Sequence, residues 1–236
     1  MHRLEKMVRE LFGPATEIRE KFFYQSKKNQ VTCFSLTLSG KPHMIIAKYF
    51  VWGDARKEER ILIECRRRGV PVPAVLHRRG HVLFLEHLEG ETLSSGCLGE
   101  NSLLQSVALW TAGYHDAMKK KQMTLLKRDM RPQNFIYQGT ELWGIDFEEA
   151  SYGEREWDVA DFLSTLIEGT DPGDTQEVLR RIRFFLTTYE NSRHLCRDTL
   201  MGCLTATLKR RIIFRKQSTP WLEKWIKRLE KPLELF

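Results

Sequence analysis

Cysteine is scarce in this chain, and long apolar runs are missing from it. The 236 residues include five cysteines, and none of them form the Cys-x-x-Cys spacing of a zinc or redox site. An odd number of scattered thiols is typical of a protein in a reducing cytoplasm. No uninterrupted apolar run exceeds four residues, which argues against a membrane-spanning segment. The charged N-terminal residues lack the apolar region of a secretory signal. We therefore expect a cytoplasmic protein without a transmembrane segment or a zinc site.

Charge, in contrast, is plentiful and unbalanced. The chain is 42% hydrophobic and 29% charged, which excludes disorder and leaves enough apolar material for a core. The net charge of +7 is concentrated in residues 119–121, 127–131 and 209–216. Such basic patches attract an acidic substrate, an anionic glycan, a membrane surface or RNA, and solvated helix faces are the alternative. Aromatic residues do not interleave with these runs, so RNA is a secondary hypothesis.

The most informative segment lies between residues 127 and 146. It begins Lys-Arg-Asp-Met-Arg-Pro-Gln-Asn and ends Ile-Asp. Asp129 can accept a hydrogen bond from a substrate hydroxyl and later take its proton. Asn134 and Asp146 supply the oxygen ligands that Mg²⁺ prefers, and Arg131 can neutralise charge on a γ-phosphate. The pattern predicts an ATP-dependent phosphotransferase.

The residues between the two halves of this motif predict a β-hairpin. Apolar residues 135–137 and 142–145 flank the turn 138–140. A hairpin would bring Asn134 and Asp146 to the same end. A polar surface turn with a chance Asp and Asn is the alternative.

A lysine in an apolar strand pattern is the main upstream feature. Residues 43–50 have that pattern and carry Lys48, and a helix is predicted next over 54–68. Burying an unpaired ammonium is costly, so a glutamate of that helix, which carries Glu58, Glu59 and Glu64, is the expected partner. The pair would face the α- and β-phosphates of ATP. A lysine that reaches solvent from a strand end is the alternative.

A break in the pattern follows at residues 69–73, which read Gly-Val-Pro-Val-Pro. Strand 82–85 comes next and runs into Glu-His-Leu-Glu-Gly. We expect this segment to be an interlobe hinge whose backbone, at Glu86 and Leu88, pairs with adenine.

These motifs and their order resemble the protein-kinase-like superfamily. The similarity is to its compact branch of aminoglycoside phosphotransferases, choline kinases and lipopolysaccharide (Kdo) kinases, and also to the small atypical kinase of the tRNA threonylcarbamoyl complex. The resemblance implies an α+β bilobal fold, with ATP and Mg²⁺ as cofactors. A small β-rich N-lobe with one helix would comprise residues 1–88. A larger, mainly helical C-lobe would comprise residues 89–236.

The resemblance also implies roles for single residues. Asp158, within Trp-Asp-Val-Ala-Asp, would brace the catalytic loop. Glu58 best matches the family's helix glutamate by its distance from the break, with Glu59 as the alternative. The other matches are Asp129 with the catalytic Asp, Asn134 with the metal Asn, Asp146 with the first residue of the second metal motif, and Lys48 with the strand lysine.

Several positions depart from the family pattern. The catalytic-loop histidine of the family is Lys127 here, which leaves open how the loop is tied to the metal motif. Arg131 stands where protein kinases commonly have Lys and small-molecule kinases His. No glycine-rich phosphate loop is present, and residues 24–30 occupy that turn. Ser26 and Asn29 resemble the phosphate loop of small-molecule kinases, and a plain solvated hairpin is the alternative.

The acceptor is indicated by the short connection after the metal motif. Ten residues separate Asp146 from Trp157, too few for the activation segment on which protein kinases bind peptides. A small hydroxyl-bearing molecule or a sugar-containing anionic acceptor fits better, bound by the helices predicted after residue 169. The alternative is a protein kinase or ATPase of the tRNA-modification type.

Overall fold

The computed structural model describes residues 2–14, 16–24, 28–94, 99–171, 173–215 and 220–229. The chain divides into two compact units, one of residues 1–67 and 72–89 and the other of residues 68–71 and 90–236. Every described helix is too short or too polar to cross a lipid bilayer.

The first unit is built on an antiparallel sheet. Its strands are β1 Glu17–Tyr24, β2 Gln30–Leu38, β3 Lys41–Tyr49, β4 Val75–Arg79 and β5 Val82–Glu86. They lie in the order β1-β2-β3-β5-β4. Side chains alternate between the two faces of a strand. One face therefore carries Phe34 of β2, Ile45 of β3 and Phe84 of β5, which are all buried.

A helix at the start of the chain, α1 His2–Phe12, supplies apolar side chains to this core. Its Val8 is fully buried in the same cluster as Phe34 and Ile45. The sequence analysis expected one helix in this part of the chain and did not predict α1. Its apolar residues have the three- and four-residue spacing of an amphipathic helix, so the signal was present in the sequence. They are Leu4, Met7, Val8 and Leu11.

The second helix of this unit, α2 Ala55–Arg67, confirms the helix predicted over residues 54–68. Asp54 begins it: its side chain accepts a hydrogen bond from the Arg56 N–H at 2.9 Å, as N-capping residues do. The helix packs against β4 and β5. Its inward face includes Glu58, whose buried carboxylate requires a partner.

The second unit is mainly helical. Its helices are α3 Asn101–Ala117, α4 Glu156–Gly169, α5 Thr175–Glu190, α6 Arg197–Arg215 and α7 Pro220–Leu229. Helix α4 packs against α5 and α6 and is buried over most of its length. Helix α3 ends at Ala117 and does not continue into the basic residues that follow. Lys119–Lys120 form strand β7 instead, because Lys121, with φ of 58°, turns the chain back.

Two small antiparallel sheets accompany these helices. One has the order β11-β8-β7, with β8 Met123–Leu126 and β11 Ser151–Gly153. The other has the order β10-β9-β6, with β6 Glu91–Thr92, β9 Phe135–Gln138 and β10 Glu141–Gly144.

Strands β9 and β10 confirm the predicted hairpin. Phe135 pairs with Gly144 at one end and Gln138 with Glu141 at the other. The tight turn is made possible by Gly139, whose φ is 61°. The hairpin lies close against α3: a Cβ on Gly144 would lie 2.3 Å from the ring of Trp110.

Candidate active site

The catalytic loop extends from the end of β8 to the 3₁₀ turn Pro132–Asn134, and α4 holds it. The Asp158 carboxylate accepts hydrogen bonds from the backbone N–H groups of Lys127, at 2.7 Å, and Arg128, at 2.8 Å. This confirms the bracing role predicted for Asp158. Asp161, for which the sequence suggested no role, accepts a bond from the Met130 N–H at 2.8 Å. Its spacing from Asp158, one helical turn along α4, was the available signal.

Asp158 is itself fixed by a buried network. The His115 Nε2 lies 3.2 Å from Asp158 Oδ2, and its Nδ1 lies 2.8 Å from the Tyr189 hydroxyl. Burial raises the pKa of Tyr189, so the phenol keeps its proton. We assign the Tyr189 O–H as donor to Nδ1 and the Nε2–H as donor to Asp158, because this arrangement satisfies all three groups. His115 is thus a packed structural residue.

The proposed base, Asp129, is held by Arg131. The Arg131 Nε donates to Asp129 Oδ1 at 2.6 Å, and its Nη2 donates to Oδ2 at 2.5 Å. Burial tends to raise the pKa of Asp129, but the bond from Arg131 and the nearby charge of Lys127 outweigh it and lower the pKa below its usual value. Asp129 is therefore a carboxylate at neutral pH, as a proton acceptor must be.

Lys127 ties the catalytic loop to the metal motif. Its side chain is fully buried, and its Nζ donates to the backbone carbonyls of Asp129, at 2.7 Å, and Asp146, at 3.1 Å. The ammonium also lies 5.6 Å from the ring centroid of Phe135 and 5.2 Å from that of Phe147. These contacts compensate for the cost of burying a cation. The sequence left open how the loop is tied to the metal motif without the family's histidine. In the structure, Lys127 makes this connection.

The predicted metal residues lie at one end of the hairpin. Asn134 Nδ2 donates to the Asp129 carbonyl at 3.2 Å, and the Ile145 N–H donates to the Asn134 carbonyl at 2.9 Å. Asp146 has φ of 62°, a left-handed conformation that costs a non-glycine residue about 1–3 kcal/mol. An amide oxygen and a carboxylate form a donor set that suits Mg²⁺.

The first unit contains the lysine–glutamate pair. Lys48 Nζ lies 2.7 Å from Glu58 Oε2, and the two side chains are 8% and 1% exposed. Glu59, the alternative partner, pairs with Arg78 at 2.5 Å. The structure therefore selects Glu58, because α2 turns it toward Lys48 of β3 while Glu59 faces Arg78 of β4.

Three of the four remaining residues predicted to contact the nucleotide lie in the described part of the chain. The buried Asn29 uses its Oδ1 to accept bonds from the backbone N–H groups of Val51 and Trp52, at 3.0 and 3.3 Å, so it fixes the turn after β3. Glu86 accepts a bond from the Ala74 N–H at 2.9 Å, and Leu88 is buried. Ser26 lies outside the described residues.

No model of a known protein family matches the sequence, and no curated protein is recognisably similar to it. Solved structures are similar in fold. A choline kinase from Cryptosporidium parvum superposes with a TM-score of 0.68 at 10% identity, over 98% of this chain and 94% of that one. The amicoumacin kinase hAmiN, solved with AMP-PNP, Ca²⁺ and Ami, gives 0.61 at 15% identity, over 99% and 92%. The choline kinase LicA from Streptococcus pneumoniae gives 0.57 at 16% identity, over 99% and 100%.

The chain has the protein-kinase-like fold. This confirms the predicted fold class, and the similar structures belong to the compact small-molecule branch that the motifs resembled. Within the second unit, the kinase-like fold brings Asp129, Arg131, Asn134 and Asp146 together through direct bonds or through Lys127. The roles of these residues stay predictions.

Proposed function

We propose that the protein is an ATP-dependent phosphotransferase that moves the γ-phosphate of ATP to the hydroxyl of a small-molecule or sugar-containing acceptor. One observation carries this proposal: the buried ammonium of Lys127 donates to the backbone carbonyls of both Asp129, the proposed base, and Asp146, in the predicted metal motif. A base beside two oxygen ligands is what phosphoryl transfer needs, since its transition state is stabilised by position and charge. The fold shared with small-molecule kinases supports it.

The chemistry can be assigned to individual side chains. Asp129 accepts a hydrogen bond from the acceptor hydroxyl. As the bond between the acceptor oxygen and the γ-phosphorus forms, the bond to the β,γ-bridging oxygen breaks, the proton passes to Asp129 and ADP leaves. Arg131 neutralises charge on the transferring group.

The nucleotide is assigned to the other predicted residues. Asn134 and Asp146 would hold Mg²⁺, which when bound neutralises the nucleotide phosphates. Lys48, oriented by Glu58, would contact the α- and β-phosphates. The hAmiN structure holds a nucleotide analogue and a divalent cation, which supports both cofactors for this fold.

An anionic acceptor suits the electrostatics best. Arg131 remains partly exposed, and the chain has a net charge of +7. A polycation such as an aminoglycoside is a poor match for this charge. A reducing cytoplasm agrees with the cysteines that the structure describes, Cys33, Cys65, Cys196 and Cys203, which form no disulfide with one another.

The test is phosphate transfer from γ-labelled ATP to pools of hydroxyl-bearing acceptors, with Asp129→Asn as the matched variant. This substitution keeps the shape of the side chain and removes the proton acceptor, so single-turnover transfer should slow by about 10²–10⁴. ATP affinity should change little. Transfer by the variant at the wild-type rate would show that Asp129 is not the base. Substantial ATP turnover without any acceptor would instead favour the ATPase alternative.

A further inference from the structure

The last two turns of α6 expose two large apolar side chains to solvent. Ile213 is 74% exposed and Phe214 is 77% exposed, more than any other large hydrophobic residue in the described part of the chain. The opposite side of α6 has the usual buried stripe, which includes Leu204 and Leu208. Ile213 and Phe214 therefore lie outside the buried stripe through which α6 packs.

Two exposed cations lie beside this pair. Lys209 and Arg210 precede Ile213 and Phe214 by four residues each, so the four side chains share one face of the helix. Among the described residues, we find no ion pair formed by either cation. The neighbouring Arg211 differs, since it is directed inward and pairs with Asp161 at 3.0 Å.

The sequence around this face contains no acidic residue. From residue 199 to residue 222 there is no Asp or Glu, while five Lys or Arg occur. The charges of this stretch are therefore all positive, without the alternating signs of an ordinary solvated helix.

We propose that these four residues, the basic–apolar face, dock the protein on an anionic lipid surface. Cations that attract phosphate head groups, next to apolar side chains that enter the acyl boundary, are the combination by which interfacial helices bind membranes. A nucleic acid would use the cations but leave Ile213 exposed. An apolar protein patch would not require a stretch without acidic residues. This proposal does not depend on the proposed transfer reaction.

The binding should be reversible. Two apolar side chains and two cations make only a small contact area with the lipid. Salt also screens the attraction between the cations and the anionic head groups. We therefore expect weak association that increases with the anionic lipid content and falls as the ionic strength rises.

The experiment is cosedimentation of the full chain with vesicles of phosphatidylcholine, with or without phosphatidylglycerol. One double variant, Ile213→Ser with Phe214→Ser, removes the apolar pair. A second, Lys209→Gln with Arg210→Gln, removes the charges. The matched controls are Val51→Ser with Trp52→Ser, an exposed apolar pair of the first unit, and Lys119→Gln with Lys120→Gln, an exposed cation pair. Thermal unfolding of each variant verifies its fold.

The expected result is binding to the anionic vesicles alone, weakened about tenfold or more by each of the α6 double variants and unchanged by the controls. Absence of wild-type binding would overturn the proposal. Loss with the charge variant but full binding by the apolar variant would also overturn it, and would identify the face as a site for polyanions such as RNA. Equal losses in the controls would show non-specific adsorption.

Discussion

Lys127 connects the predicted catalytic loop to the predicted metal motif and also affects the charge state of the proposed base. Lys127 stands where the family pattern has a histidine. The histidine ring has at most two N–H donors, one on each side, whereas the lysine ammonium has three. Two of its N–H groups are directed to carbonyls of the loop and of the metal motif. Its charge also contributes to the lowered pKa of Asp129. One side chain thus positions the proposed base and helps to keep its carboxyl group ionised.

Replacing Lys127 with methionine should impair turnover more than nucleotide binding. Methionine preserves most of the stem but leaves two buried carbonyls without their donor, at a cost of about 1–3 kcal/mol in the free energy of unfolding. The loop can then move relative to the metal motif, and we expect kcat to fall about tenfold or more, since catalytic geometry is sensitive to small displacements. Steady-state kinetics separate kcat from KM for ATP.

The exposed Lys120→Met is the control for that experiment. Lys127→Arg should recover part of the activity, because it restores donors to the carbonyls. An unchanged kcat in Lys127→Met, with the fold intact, would contradict the positioning role.

Asp146 is both a predicted metal ligand and a residue with a strained backbone, and two substitutions separate these effects. Asp146→Ala and Asp146→Gly both remove the carboxylate, so both should abolish the magnesium dependence of ATP binding, measured by calorimetry. Only glycine adopts φ of 62° without a penalty. The glycine variant should therefore be more stable than the alanine variant by about 1 kcal/mol in urea unfolding. Magnesium-dependent binding that survives in both would refute the ligand assignment, while equal stabilities would refute the strain.

At the scale of single elements, helix α4 holds the predicted catalytic loop in place through hydrogen bonds. Asp158 and Asp161 lie one turn apart on its buried surface and accept bonds from three loop N–H groups. Arg211 of α6 donates to Asp161, so the helix that holds the loop is tied to the helix with the basic–apolar face. A rigid element beneath a loop is what keeps a catalytic side chain in place.

The first turn of α5 should make stability depend on pH. The hydrogen bond from Arg180 to Glu177, with a further contribution from Arg181 and despite partial burial, lowers the pKa of Glu177 to about 2 from an ordinary 4.5. Because the folded pKa is depressed, the stabilisation is complete above pH 4.5 and is lost as the pH falls toward 2. For a largely solvated pair it amounts to about 1 kcal/mol or less.

Glu177→Gln should therefore be less stable than the wild type near neutral pH, with a difference that narrows as the pH falls below 4.5. Urea unfolding midpoints at several pH values measure this difference. The exposed Glu141→Gln serves as the control. A difference that stays constant with pH would contradict the ionic origin.

At the scale of the whole molecule, the sequence predicted what depends on short-range patterns. The hairpin β9–β10 followed from two apolar runs and a Gly turn, and the partnership of Lys48 followed from the cost of a buried ammonium. Helix α1 was missed although its apolar residues have the spacing of an amphipathic helix. The tie made by Lys127 could not be predicted, because it depends on where two backbone carbonyls come to lie in three dimensions. The choice of Glu58 over Glu59 likewise required the orientation of α2.

The hairpin that carries Asn134 and Asp146 has a further consequence for how the protein folds. Its strands are joined by a tight turn, and its last bond, from Ile145 to Asn134, closes a short loop of chain. Contacts of low sequence separation cost little closure entropy and form within microseconds in isolated hairpins. Both predicted metal ligands are thereby brought together by local chain geometry. Long-range contacts, such as the bond from Met130 to Asp161, then only have to orient this pair relative to Asp129, the proposed base.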